Sequence, residues 1–120
     1  MKKDAKIFLA HILESIELIE AFLKNISKEE FIKSVQIQDA VVRRLEIIGE
    51  AAKNIPRSFR VKYPEIPWRK ITGTRDIIVH EYFGVDLKLT FKIAKDDLPK
   101  LKKKILKITR EISNGRTTLL

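Results

Sequence analysis

One short stretch holds most of the side chains in this sequence that could do chemistry. RDIIVHEYFGVD, Arg75 to Asp86, sets an arginine, a histidine and a tyrosine among Ile, Val and Phe, at Arg75, His80 and Tyr82. Arginine is a planar, permanently charged fork of donors that matches a phosphate. Histidine titrates near neutrality and can take or give a proton during a reaction. At about 100° per residue, a helix here puts Asp76 and His80 on one face and Arg75 and Tyr82 on a neighbouring one. Asp76 can then orient the imidazole of His80. A phosphate clamp beside a proton carrier fits strand cleavage by internal transfer in RNA. The ribose 2′-hydroxyl attacks the adjacent phosphorus, a base removes its proton, an acid protonates the leaving oxygen, and a cation steadies the phosphoryl oxygens. One histidine is thin for two proton transfers. A two-fold dimer that pairs the motif helices supplies two Arg75 and two His80 to one cleft. The bland alternative is that His80 and Tyr82 merely satisfy local hydrogen bonds at a helix end.

Metal chemistry is not expected. The chain has two histidines, no cysteine and no clustered ligand motif, and no cofactor is implied. His11, the second histidine, stands among polar positions and reads as surface.

The elements that must position the motif are helical. Ala5, Leu9, Ile12, Ile16, Ile19 and Leu23 recur at spacings of four and three, one apolar stripe on a first helix. Ser27, followed by Glu29 and Glu30, caps a second helix that runs to about Asn54 and stops before Pro56. Its inner stripe is Ile37, Val41, Leu45, Ile48, Ala52 and Ile55. Gln36, Asp39, Arg43, Glu46, Glu50 and Lys53 form a second, polar stripe on the same helix. That stripe is either a solvated face of ion pairs or the wall of a polar cleft. Gly49, Ala51 and Ala52 are small enough for close approach of another helix.

Residues 56–74 hold three of the four prolines and read as a connector with one or two helical turns, pinned by Phe59, Tyr63 and Trp68. Thr74 then caps a motif helix that starts at Arg75, reaches about His80 or Tyr82 and ends at Gly84. In that placement Arg75 lies in the first turn, beside free N–H groups and the positive end of the helix dipole. Asp86 caps a further helix, LKLTFKIAKDD. Pro99 begins a last segment after a kink near Asp97, with Leu98, Leu101, Ile105, Ile108 and Ile112 inward. No strand pattern appears. The expectation is an all-α bundle of four or five helices in one domain, 1–120, with a frayed tail at 115–120.

Charge narrows the partners. The net charge is +9, and nearly all of it sits in residues 61–120, where 14 Lys/Arg face 7 Asp/Glu. KLKKKILKITR, Lys100 to Arg110, carries six basic residues and no acid. Such a balance suits RNA or an acidic protein partner, or is simply a solvated lysine face. The N-terminus is too interrupted by charge for a secretion signal, and no segment is long enough to span a membrane, which points to the cytoplasm.

GTRDIIVHEYFGVD, with IQDAVVRRLEIIGEAAKNIP upstream and YPEIPWRKITG between them, resembles the HepT-like family of HEPN domains in content, order and spacing. The similarity covers essentially the whole chain. It implies a HEPN-type helical bundle that forms a homodimer around the motif. It also implies the toxin of a prokaryotic type VII toxin–antitoxin pair, a metal-independent ribonuclease with Arg75 and His80 in the catalytic positions. The implied partner is a minimal, MntA-like nucleotidyltransferase antitoxin, which uses ATP to adenylylate the tyrosine matching Tyr82. A tyrosine carrying phosphate and adenine would fill the Arg–His cleft and occupy Arg75. Asp76 stands where such motifs also carry an amide. Two other readings stay open. One is a non-enzymatic subunit that binds, and is modified by, the nucleotidyltransferase. The other is a plain RNA-binding domain that depends on Lys102–Lys104 more than on Arg75. Whether Gln36, Asp39 and Glu50 face the site is not decided by spacing.

Overall fold

The computed structural model describes the backbone of residues 5–80 and 86–118, and the side chains of residues 5–74 and 86–113. The stripe that starts at Ala5 becomes α1, Ala5–Leu23, which buries Leu9, Ile12, Ile16, Ile19 and Leu23. The second stripe becomes α3, Val35–Asn54. Between them lies a short α2, Lys28–Lys33, and after them come α4, Arg57–Lys62, and α5, Trp68–His80. A final rod is made of α6, Leu87–Lys92, a π turn, Ile93–Asp97, and α7, Leu98–Thr118. All regular structure among the described residues is helical, consistent with a HEPN-type bundle.

Helix α3 is the centre of the bundle. It packs against α1 on one side and α5 on the other, and α7 closes on α1. Val41, Leu45, Ile48, Ala52 and Ile55 are buried as the spacing predicts, and so are Gly49 and Ala51. The small residues let two helices flank α3 closely. The last stripe behaves likewise, with Leu98, Leu101, Ile105 and Ile108 in the core and Ile112 half-buried against it.

Two helix boundaries differ from the sequence reading. The helix capped by Ser27 does not run unbroken to Asn54. The Ser27 capping box is present, with Glu30 bonding back to the Ser27 N–H at 3.1 Å. At Ser34, however, the backbone turns extended. Ser34 ends α2 through its own N–H and starts α3 by accepting from the Ile37 N–H at 3.2 Å. Gln38 holds the break by donating to the carbonyls of Phe31 and Ile32 at 2.9 and 2.8 Å. The gain is burial of Phe31, which lies 5.4 Å from Phe91 of α6.

The second difference concerns the motif helix. It starts at Trp68, not Arg75, so Arg75 lies two turns in. The aromatic pins set this start. Trp68 donates its indole N–H to the carbonyls of Tyr63 and Arg60 at 3.0 and 3.2 Å, and Phe59 packs 4.7 Å from Tyr63. Thr72 and Thr74 do not act as caps. Their hydroxyls bond back into the helix, Thr74 to the Lys70 carbonyl at 2.8 Å. The connector thus shrinks to residues 63–67. Backbone N–H groups at Arg75 fall within the helical ladder, so the dipole and free-donor argument for that residue does not hold. The expected stop at Gly84 lies outside the described residues.

Asp86 caps α6 as expected, accepting from the Leu89 N–H at 3.0 Å. The expected kink near Asp97 is a π turn, in which Leu98 donates to Ile93, five residues back. Pro99 lies just after it, inside a rod that is helical on both sides, so its missing N–H interrupts the ladder next to the wider turn. Lys95, on the π turn, donates to the Leu23 carbonyl at the end of α1 at 3.1 Å. α7 is helical to Thr118, into the tail.

Gly73 sits in the interior of α5 without a positive φ, and a Cβ there would meet no described atom within 4 Å. Gly73→Ala is therefore expected to stabilise the fold by about 0.5–1 kcal/mol. Urea denaturation followed by circular dichroism measures it; a loss of stability would mean that the Cβ meets a neighbour.

Candidate functional site

Arg75, Asp76 and His80 all fall on the last turns of α5. The helix is continuous from Arg75 to His80, so Asp76 and His80 stand four residues apart, one turn along the same face. Their side chains, and all of Tyr82, lie outside the described residues, as do the contacts between them.

The wall around this helix is described. α3, α5, the π turn and α7 enclose a groove of about 220 Å³. Its floor is apolar, with Leu45 and Ile48 from α3, Ile71 from α5 and Leu101 from α7. Its rim carries Lys70, Thr74, Asp97, Lys100 and Lys104. Thr74 directly precedes Arg75. This groove has no counterpart in the sequence reading, because its walls come from segments far apart in the chain.

The polar stripe of α3 faces elsewhere. Arg43, Glu46 and Glu50 line a second cleft of about 350 Å³ with Phe8 and His11 of α1. Arg43 and Glu46 form an ion pair at 3.8 Å, and His11 packs edge-on to Phe8 at 6.2 Å. By helical rotation, Leu45 and Ile48 are on the opposite side of α3 from Arg43 and Glu50. Gln36 and Asp39 are exposed and line neither cavity. His11 is exposed, as expected, yet it joins this polar wall. Among the described residues no group of His, Asp and Glu is arranged to hold a metal ion.

The lysine-rich run divides by face. Lys102 points to α1, donating to Glu20 at 2.8 Å and lying 4.0 Å from Glu17. Chiefly through the Glu20 hydrogen bond, and with the charges of Glu20 and Glu17 adding to it against the cost of burial, its ammonium holds its proton above the usual lysine value of 10.5. Lys102 is thus occupied in tying α7 to α1. Lys100 and Lys104 turn to the groove instead, and Lys103 and Lys107 are exposed. A group whose pKa rises on folding stabilises the fold fully below its unfolded value and loses that contribution as pH climbs through its folded value. Melting temperature should therefore fall above about pH 10.5 more steeply in the wild type than in Lys102→Met. Parallel thermal melts across that range check it, and identical slopes would remove Lys102 from the account.

Comparison with known proteins adds a frame. The profile of the ribonuclease HepT-like family matches residues 12–108. A protein of Methanocaldococcus jannaschii, named as a gamma-glutamylcyclotransferase and candidate RNase, is 54% identical over 116 residues, covering 97% of this chain and 52% of that protein. The chain thus spans about half the length of that relative. A protein of Thermococcus cleftensis named as a probable ribonuclease HepT is 48% identical over 92% of this chain and 100% of its own length. A candidate RNase of Methanocaldococcus jannaschii is 48% identical over 87% of this chain and 95% of its own. No solved structure matches the chain. No described helix is long and apolar enough to cross a membrane.

Proposed function

The chain belongs to the ribonuclease HepT-like family, and we propose that it is a metal-independent endoribonuclease, the toxin of a type VII toxin–antitoxin pair acting in the cytoplasm. The observation that carries this reading is the family match from residue 12 to 108, which takes in the unbroken helix through Arg75 and His80. The ribonuclease names of relatives that align over nearly their full length support it.

Arg75 binds the scissile phosphate through its own charge, since the helix end is two turns away. His80 moves the proton, with Asp76 as its orienting carboxylate one turn earlier. A homodimer brings two such helices together and provides a second imidazole, one as base and one as acid. The bond that forms is O2′–P, the bond that breaks is P–O5′, and the 2′-proton leaves to one histidine while the other protonates the 5′-oxygen. Tyr82 is the site at which an MntA-like nucleotidyltransferase attaches an adenylyl group from ATP, releasing pyrophosphate. The added phosphate then competes with RNA for Arg75.

Digestion of RNA in EDTA by wild type and by His80→Ala tests the core of this. The expected result is cleavage by wild type and a fall of about a hundredfold or more in the variant. Cleavage that survives His80→Ala sinks the assignment. No cleavage by either favours the non-enzymatic partner subunit. Intact-mass analysis after incubation with the nucleotidyltransferase and ATP then shows whether Tyr82, against Tyr82→Phe, gains adenylyl groups.

A further inference from the structure

The groove between α5 and α7 has two kinds of wall. Its floor is aliphatic, and its rim presents Lys70, Lys100 and Lys104 against one acid, Asp97. All three lysines are exposed, and none is ion-paired with a described residue. Lys102, between two of them in sequence, is by contrast committed to Glu20 and Glu17. Pro67 and Ile93 are the half-buried apolar part of this lining, and cations ringed around them fit a ligand with regularly spaced negative charge and flat apolar faces. An unpaired polynucleotide has both. In a duplex the base faces are stacked away and cannot reach such a floor. The groove is also continuous with the motif helix. Lys70 precedes Arg75 by five residues, about 7.5 Å along the axis, and Thr74 on the rim is the residue before Arg75.

We propose that this groove carries the single-stranded RNA on one side of the cleavage site, with a base against Pro67 and Ile93 and backbone phosphates against Lys70, Lys100 and Lys104. The proposal rests on the ribonuclease reading and adds the path of the substrate. The floor has no aromatic ring, so base contact is apolar packing without strong sequence preference, and most of the affinity is electrostatic and salt-sensitive. Asp97 weakens the site.

The test is binding of a fluorescein-labelled oligouridine to the full chain in the His80→Ala background, by anisotropy across a salt series in EDTA. Lys100→Glu/Lys104→Glu should weaken binding by about tenfold or more, and flatten the slope of log affinity against log salt by about 1.4, the value for two lost phosphate contacts on a single strand. Lys24→Glu/Lys53→Glu changes the net charge equally on other surfaces and should leave both quantities nearly unchanged. Lys100→Arg/Lys104→Arg should retain binding, and Asp97→Asn should tighten it. Unlabelled duplex should compete poorly. Equal loss from the two charge-reversed pairs would reduce the effect to diffuse charge and overturn the proposal. So would full competition by duplex, or sedimentation showing that the groove pair splits a dimer, which would assign the groove to a second copy. The two readings separate cleanly. Wild type that cuts RNA while binding ignores the groove leaves the ribonuclease and ends this inference. Groove-dependent binding without cleavage does the reverse.

Discussion

Helix α3 has to bury two sides at once, and the arrangement of everything else depends on it. A helix with one apolar stripe can be covered by one neighbour. α3 adds Val42, Gly49 and Ala51 to its main stripe, so its buried arc wraps far enough to take α1 on one side and α5 on the other. Gly49 and the paired alanines lower the surface where those neighbours approach. What remains outside is narrow and polar, and it ends up beside α1 and away from the groove. The position of the motif helix is thus set by apolar burial on its early turns, which leaves the residues from Arg75 onward at the far end of a firmly seated rod.

Charge is then distributed over this frame by helix geometry. In KLKKKILK, neighbouring lysines are about 100° apart, so one run of like charge is dealt to three directions. Lys102 faces acids of α1, Lys100 and Lys104 face α5, and Lys103 and Lys107 face water. The first of these is a strap between helices, and the second makes a basic rim. A reading that treats the run as one patch merges groups with different partners.

Much of the bundle was legible in sequence because burial on one face leaves a period. The stripes of α1, α3 and α7 appear in the structure residue for residue, down to half-buried Ile112. The start of α5 was not legible. Thr–Gly–Thr reads as punctuation, yet two threonine hydroxyls can bond to carbonyls of the preceding turn, and an indole anchored across the chain can fix the true start. The break at Ser34 did leave a trace, since the stripe stepped back from Ile37 meets Lys33 or Ser34 and then Glu30, all polar, while Phe31 lies off that stripe. The motif's place on a helix could be read locally. The groove beside it could not, because Leu45, Ile71 and Leu101 meet only after folding.

The π turn at Ile93–Asp97 has a consequence for how this chain can change over time. A helix carries phase as well as direction. Thr90, Ala94 and Leu98 are all buried at successive steps of four, a spacing that drifts off one face of an ordinary α-helix and stays aligned where the turn is wider. The turn therefore acts as a phase adjuster between α6, which answers to Phe31, and α7, which answers to α1. Removing one residue there would restore regular winding with little rotation of α7, since five residues of the wider turn and four of an α-helix both sweep slightly more than one full turn. Leu101 and Ile105 would stay in the core, and Lys102 would stay beside its acids. This stretch is thus where the rod can lose a single residue and keep the face of α7, whereas the same loss within the regular turns of α7 would swing everything beyond it by about 100°.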